Sequence, residues 1–246
     1  NSARDDAAGL AIADRMNIQV RGMNVAIRNA NDGISLAQVA EGGLAAMGDM
    51  MQRMRELAVQ AINSTNTTSD LVTLNQEFSQ LRDEVNRTIS AVQFNGTSLF
   101  TTTADFAFQV GANSGQTITI AGAALNINNA TGGMSGVTQG SGGASGLNTT
   151  ANEANSAVLV ALDTALSTLN ATRATLGAVQ SRFENTINYL RTVVENQSAA
   201  RGRIMDADFA AETSNLSRAQ ILQQAGTAMI AQANQLPQGV LRLLQG

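Results

Sequence analysis

The sequence predicts a mainly α fold: an elongated rod of long antiparallel coiled-coil-like helices, a small central β-hairpin region and a C-terminal helix. Three observations predict it. Apolar residues recur in steps of four and three over nearly sixty residues at the start of the chain and again over some fifty residues after position 150. A strand-like, Gly/Ser-rich stretch falls between these two runs. The first run, about 55 residues at 1.5 Å each, spans ~80 Å. A compact globule of this length has a radius of gyration near ~18 Å. Such a helix does not fit inside one, unless Gly42-Gly43 folds it back.

The first helix is expected over about 5–62. Ser2 and Asp5 carry a capping-box spacing, in which each side chain satisfies a free backbone N–H. The stripe behind it runs Ile12, Met16, Val20, Met23, Ile27, Ala30, Ile34, Ala37, Ala40, Leu44, Met47, Met51, Met54, Ala58, Ala61. Gly22, Gly33, Gly42, Gly43 and Gly48 each weaken a helix by ~1 kcal/mol relative to Ala, which points to close neighbours. A polar turn over 63–70 leads to a second helix, about 70–93, with Leu71, Leu74, Phe78, Leu81, Val85 and Val92 inward. Asn95-Gly96 stops it. The β-hairpin region covers about 99–147, with strands at 106–110 and 116–120.

Thr150 and Glu153 repeat the capping-box spacing before a third helix over about 151–200. Its stripe is Leu162, Ala165, Leu169, Thr172, Leu176, Val179, Phe183, Thr186, Leu190, Val193. The pattern resets near Arg203, and a last helix runs from about 208 to 235, where Pro237 disturbs or ends it. The simplest rod pairs the first and third helices, with the hairpin at the far end.

Composition excludes whole classes of chemistry. The 246 residues contain no Cys, no His and no Lys, so all 15 basic residues are Arg. Cys/His metal sites, disulfides, Ser-His-Asp and Cys-His catalysis, Walker A loops and Schiff-base lysines are all removed. A net charge of -4 argues against a nucleic-acid partner. No apolar run reaches the ~20 residues of a membrane span. Only 14% of residues are charged, against ~25% for a typical globular chain. That sparse charge implies a surface largely covered by other chains.

Candidate sites reduce to surfaces. Around residues 140–145 the glycines miss the GxGxxG spacing, and a flexible loop accounts for them. Asp5-Asp6 and Asp206-Ala207-Asp208 lack EF-hand spacing and read as helix caps. Met16, Met23, Met47, Met50, Met51 and Met54 read as adaptable core. Arg53 and Leu57, four apart, share a helix face that is either solvated or a protein contact. From residue 212 to the C-terminus the only charges are Glu212, Arg218 and Arg242. There an apolar stripe of Leu216, Leu222, Ala225, Met229 and Leu236 faces a row of glutamines. Amides hydrogen-bond to protein without the desolvation cost of charge, so this reads as a helix buried in an assembly.

These motifs resemble bacterial flagellin over nearly the whole chain. Asn1-Ser2-Ala3-Arg4-Asp5-Asp6-Ala7-Ala8-Gly9 resembles the family's N-terminal block. Gln52-Arg53-Met54-Arg55-Glu56-Leu57-Ala58-Val59-Gln60 with Asn63-Ser64-Thr65-Asn66 resembles its D1 motif. Gln93-Phe94-Asn95-Gly96, Val110-Gly111-Ala112-Asn113, Ile204-Met205-Asp206-Ala207-Asp208-Phe209 and the ending from Ala233-Asn234-Gln235 through Leu243-Leu244-Gln245-Gly246 also match. The resemblance implies a D1 rod domain over 1–203 and the C-terminal half of D0 over 204–246. The N-terminal D0 partner segment is missing, so the chain as given is expected to be mostly monomeric.

The resemblance further implies a secreted, extracellular subunit of the flagellum, without cofactor, metal or catalytic residues. Its implied partners are other flagellin subunits, the flagellar cap, hook–filament junction proteins and the flagellin export chaperone. It implies receptor-binding positions Arg53, Leu57, Gln60 and Glu77 for the host flagellin-sensing Toll-like receptor. Assembly and chaperone contacts fall on Leu216, Leu222, Met229, Leu236, Leu241, Leu243 and Leu244. A rod-like type III needle-tip protein or surface adhesin is the alternative.

Overall fold

The computed structural model describes residues 6–127, 146–206 and 208–244, with side chains described as far as residue 233. The mainly α expectation holds. The elements are α1 (Ala7–Ile62), α2 (Thr68–Ala91), β1 (Gln93–Phe94), β2 (Thr97–Ser98), β3 (Phe106–Gln109), β4 (Thr117–Ile120) and α3 (Gly122–Leu125). A 3-10 turn (Asn152–Ala154) then leads into α4 (Asn155–Met205) and α5 (Phe209–Leu244). The chain divides into two compact units, one of Asn1–Asn17 with Gln197–Gly246 and one of Ile18–Asn196. The boundary expected at 203/204 falls inside the first unit.

The Ile18–Asn196 unit is a bundle of antiparallel helices. Contacts between α1 and α4 descend in step. Gly33 meets Phe183, Gly48 meets Leu169, Arg55 pairs with Asp163, and Asn155 reaches the Ala61 carbonyl. The 45 residues of α1 in this unit extend ~68 Å. No break occurs at Gly42-Gly43. A side chain at Gly42 would meet open space, whereas one at Gly43 would strike Val92 and Phe100. The core is a continuous seam containing Ala37, Ala40, Leu44, Met47, Met51, Met54 and Ala58 from α1. Facing it are Leu71, Phe78, Val85 and Ile89 of α2, and Leu162, Ala165, Leu169, Leu176 and Phe183 of α4. Met47, Met51 and Met54 are fully buried. Unbranched thioethers fill such an irregular seam readily.

Two stripe positions shift by one residue. Ala13, not Ile12, is buried on α1, and Ile187 is buried on α4 where Thr186 is only half-buried. An α-helix turns 100° per residue, so a strict four-three count drifts around the axis over many turns.

The hairpin does not lie at the far end. From the polar turn α2 runs back beside α1 for 24 residues, about 36 Å, and Arg53 of α1 meets Glu77 of α2 on the way. The chain therefore enters its β segment level with Gly43. The β3–β4 hairpin pairs Phe106 with Ile120 and Gln109 with Thr117. It then lies along α1, where Asn29 Nδ2 donates to the Gln109 carbonyl at 3.0 Å. Phe108 meets Phe183 edge-on, with ring centroids 5.6 Å apart. A smaller hairpin, β1–β2, turns at Asn95-Gly96, whose φ angles are 49° and 77°. Positive φ at both central residues is what a two-residue hairpin turn requires, and it is why Asn-Gly stands there.

Helix starts also differ in detail. Asp6 Oδ1 accepts from the Gly9 N–H at 2.8 Å and caps α1; the Ser2–Asp5 pair lies outside the described residues. Thr67 and Asp70 form a reciprocal capping box on α2. The box expected at Thr150–Glu153 does not form. Asn148 Oδ1 instead accepts from the N–H groups of Thr150 and Ala151 and from Thr150 Oγ1. A side-chain amide two or three residues upstream reaches these donors in an Asx turn and competes with the box. The glycine-rich stretch at 140–145 lies outside the described residues.

In the unit that includes the C-terminus, Arg201 Nη1 donates to Asn17 Oδ1 at 2.9 Å. Asp208 Oδ1 caps α5 by accepting from the N–H groups of Ala210 and Ala211. Pro237 does not end this helix, which continues to Leu244. Proline forfeits one backbone hydrogen bond, and the flanking leucines and glutamines are good helix formers.

Candidate functional site

Three consecutive residues of α1 divide their work. Met54 points into the core and is fully buried. Arg53, on one side of it, donates from Nε to Glu77 Oε1 of α2 at 2.8 Å and from Nη1 to Glu56 Oε2 at 2.9 Å. Arg55, on the other side, donates from Nε to Asp163 Oδ1 of α4 at 2.6 Å. Successive helix positions lie 100° apart, so one turn of α1 binds both neighbouring helices by charge and the interior by packing. The carboxylates raise the proton affinity of both guanidiniums above its ordinary value. Glu77 is the main cause for Arg53, followed by Glu56, and Asp163 is the cause for Arg55. All these groups are about half exposed, so the pairs present a surface of alternating sign rather than a buried lock.

Of the four positions expected to meet a receptor, Arg53 and Glu77 come together in this pair and Gln60 is exposed. Leu57 is 1% exposed. It is packed in the core one turn after Arg53 and shares the helix stretch without sharing the open face. Below this patch the Gln60 carbonyl accepts from Asn66 Nδ2, closing the turn between α1 and α2.

The expected assembly helix is α5. Its described apolar side chains are open to solvent: Leu216, Ile221, Leu222 and Met229 are each more than half exposed, and Phe209 is 82% exposed. Leu236, Leu241, Leu243 and Leu244 lie outside the described side chains.

One residue that the sequence did not single out is structural. Asn155 is fully buried at the start of α4. Its Oδ1 accepts from the Asn148 N–H at 2.6 Å, and its Nδ2 faces the carbonyls of Asn148 and Ala61. It ties the segment before α4 to the end of α1. Its only sequence signal was an asparagine on the apolar phase of the helix.

Among the described residues there is no group of three acidic side chains placed to hold a metal ion, and no helix is long and apolar enough to cross a membrane.

The arrangement defines a class first: a mainly α protein built on long helices from the two halves of the chain, α1 and α4, packed antiparallel. Residues 1–105 match the bacterial flagellin N-terminal helical region, and residues 159–244 match the bacterial flagellin C-terminal helical region. The chain is 44% identical to a flagellin of Halalkalibacterium halodurans over its full length, covering 87% of that protein. It is 40% identical to a flagellin of Bacillus subtilis, covering 88% of it. A crystal structure of Bacillus cereus flagellin superposes with a TM-score of 0.56 at 30% identity, over 66% of this chain and 88% of that one. The chain belongs to the bacterial flagellin family, whose members are structural subunits of the flagellar filament.

Proposed function

We propose that this chain is added to a filament of its own kind through α5, and that it works outside the cell. The single observation that carries this reading is the solvation of α5. A long helix with exposed Leu216, Ile221, Leu222 and Met229 and few charges gains little from standing alone, because most helical stability comes from packing an apolar face. Ordering such a segment against sister subunits couples folding to association. On this reading 204–246 is the C-terminal half of D0 and the preceding residues form D1. The same leucines meet the export chaperone before assembly, and the cap and hook–filament junction proteins are its further partners. The test places Leu222→Glu and Met229→Glu in the gene of the producing bacterium. Filaments counted by electron microscopy should be lost, and purified subunit carrying either change should fail to extend seeds of unaltered filament, a step that needs no chaperone. Normal filaments would overturn the reading.

The Arg53–Glu77 face carries a second reading, recognition by the host flagellin-sensing Toll-like receptor. A half-exposed guanidinium already aligned by two carboxylates offers a partner a fixed donor at low ordering cost. Gln60 extends that face, while Leu57 supports it from beneath.

A further inference from the structure

The turn at Asn95-Gly96 joins β1 to β2, and none of the roles above uses it. Its surroundings make it chemically distinct. Both residues are exposed, and the Gly96 N–H makes no hydrogen bond with the described residues. The Asn95 side chain likewise has no partner there. A Cβ placed on Gly96 would meet nothing within 4 Å, so the turn has open space on the side where a side chain would stand. The surrounding ladder is short: only Gln93–Ser98 and Phe94–Thr97 pair across it. Two-residue strands open easily, because a hairpin of this size has little stability of its own.

We propose that Asn95 is a site of spontaneous succinimide formation, converting it to aspartate and isoaspartate. The Gly96 backbone nitrogen, after losing its proton, attacks Cγ of Asn95. A new C–N bond closes a five-membered ring, the Cγ–Nδ2 bond breaks, and ammonia leaves with the proton. Water then adds to one of the two ring carbonyls. Opening at one side gives aspartate, and opening at the other gives isoaspartate, whose backbone is one carbon longer. The net change is amide plus water to acid plus ammonia, with no oxidant or reductant. Brief opening of β1–β2 supplies the backbone rotation that brings the nitrogen to Cγ.

Other asparagines lack this combination. Asn63 and Asn155 precede serine, and their Oδ1 atoms hold the N–H groups of Thr65 and Asn148. The consequence is local. Asp-Gly still favours the turn, whereas the longer isoaspartate backbone does not fit a two-residue connection. Just beyond it, Leu99 and Phe100 are fully buried, and the Leu99 N–H donates to the Val92 carbonyl at 3.1 Å.

The whole folded chain, held at mildly alkaline pH and body temperature, tests this by peptide mass spectrometry and isoaspartyl-methyltransferase labelling. Asn95 should convert severalfold faster than Asn63 or Asn155, and the label should map to its peptide. Gly96→Ala should slow the conversion, although φ of 77° strains alanine there. Asn95→Ser removes the attacked carbonyl and should abolish the label at this turn. Conversion at Asn95 no faster than at Asn63, or a label that survives Asn95→Ser, would overturn the proposal.

Discussion

Arg53 Nε and Glu77 Oε1 lie 2.8 Å apart, joining α1 to α2 across 24 positions of sequence. Arg53 is half exposed while its chain neighbour Met54 is fully buried, so charge lies on the surface and packing in the interior of the same turn. Exposed pairs of this kind add little to stability, because water screens them and ordering long side chains has an entropic cost. On the proposed receptor reading, the pair instead holds a guanidinium donor in place for a partner.

Arg53→Ala should therefore leave the melting temperature almost unchanged while weakening binding to the host flagellin-sensing Toll-like receptor. Arg53→Lys keeps the charge but loses the two-directional fork that meets Glu77 and Glu56 together, and should recover only part of the affinity. Surface plasmon resonance beside a thermal melt separates the two effects. Full affinity in Arg53→Ala would remove the receptor assignment.

Leu57→Ala is expected to behave in the opposite order. The side chain is 1% exposed, so its truncation leaves a cavity and should cost about 2–5 kcal/mol in chemical denaturation. Any loss of receptor binding should then track the loss of folded protein. A normal denaturation midpoint with lost binding would mean that the residue reaches its partner directly.

Gly33 of α1 lies against the ring of Phe183 of α4. A Cβ there would fall 2.5 Å from the ring. Gly33→Ala should destabilise the chain by about 1–3 kcal/mol despite the better helix propensity of alanine. Phe183→Leu alone should also destabilise, yet the double variant should be more stable than additivity predicts. Strict additivity in the double-mutant cycle would show that the ring does not carry the conflict.

The α2 capping box makes one element sensitive to acid. The Asp70 carboxylate accepts from Thr67 Oγ1 at 2.7 Å and from the Thr67 N–H at 2.9 Å, and these bonds, the side chain first, hold its pKa below the ordinary aspartate range. A depressed carboxylate stabilises fully above its unfolded value and loses that contribution as pH falls through the folded one. Thr67→Ala should lower stability by about 1 kcal/mol at neutral pH and let the Asp70 titration move back up. Carbon-detected NMR of the Asp70 carboxyl would follow the shift; an unmoved midpoint would show that the hydroxyl is not its cause.

Removing residues from 208 onward should spare the thermal transition of the Ile18–Asn196 unit. Every buried residue of its two apolar clusters lies between Met23 and Leu190. Circular dichroism melts should superimpose once scaled for the lost helix. A large drop in melting temperature would show that α5 supports that core.

Periodicity made the long helices readable, because a seam repeated over many turns leaves little freedom in which residues face inward. The Phe106–Ile120 hairpin was equally legible from alternation and its glycine-containing loop. Two kinds of information were not local enough to read. The position of that hairpin depends on how far α2 runs back along α1, a tertiary distance that no single window contains. The start of α4 was misjudged because Asn148, Thr150 and Glu153 all offer capping groups, and geometry chooses Asn148. Within the candidate site, Arg53 and Glu77 were named together only through family likeness. Leu57 lies three residues after the stripe residue Met54, which already turns it toward the core, but its four-residue spacing from Arg53 drew it onto the exposed face instead.

The burial of Met47, Met51 and Met54 beside the openness of Met229 divides the chain's thioethers by access. Peroxide or hypochlorite reaching a subunit before assembly meets Met229 long before it meets the seam. Sulfoxide there turns an apolar contact polar, so an oxidative burst would blunt the terminal helix while the bundle kept its shape.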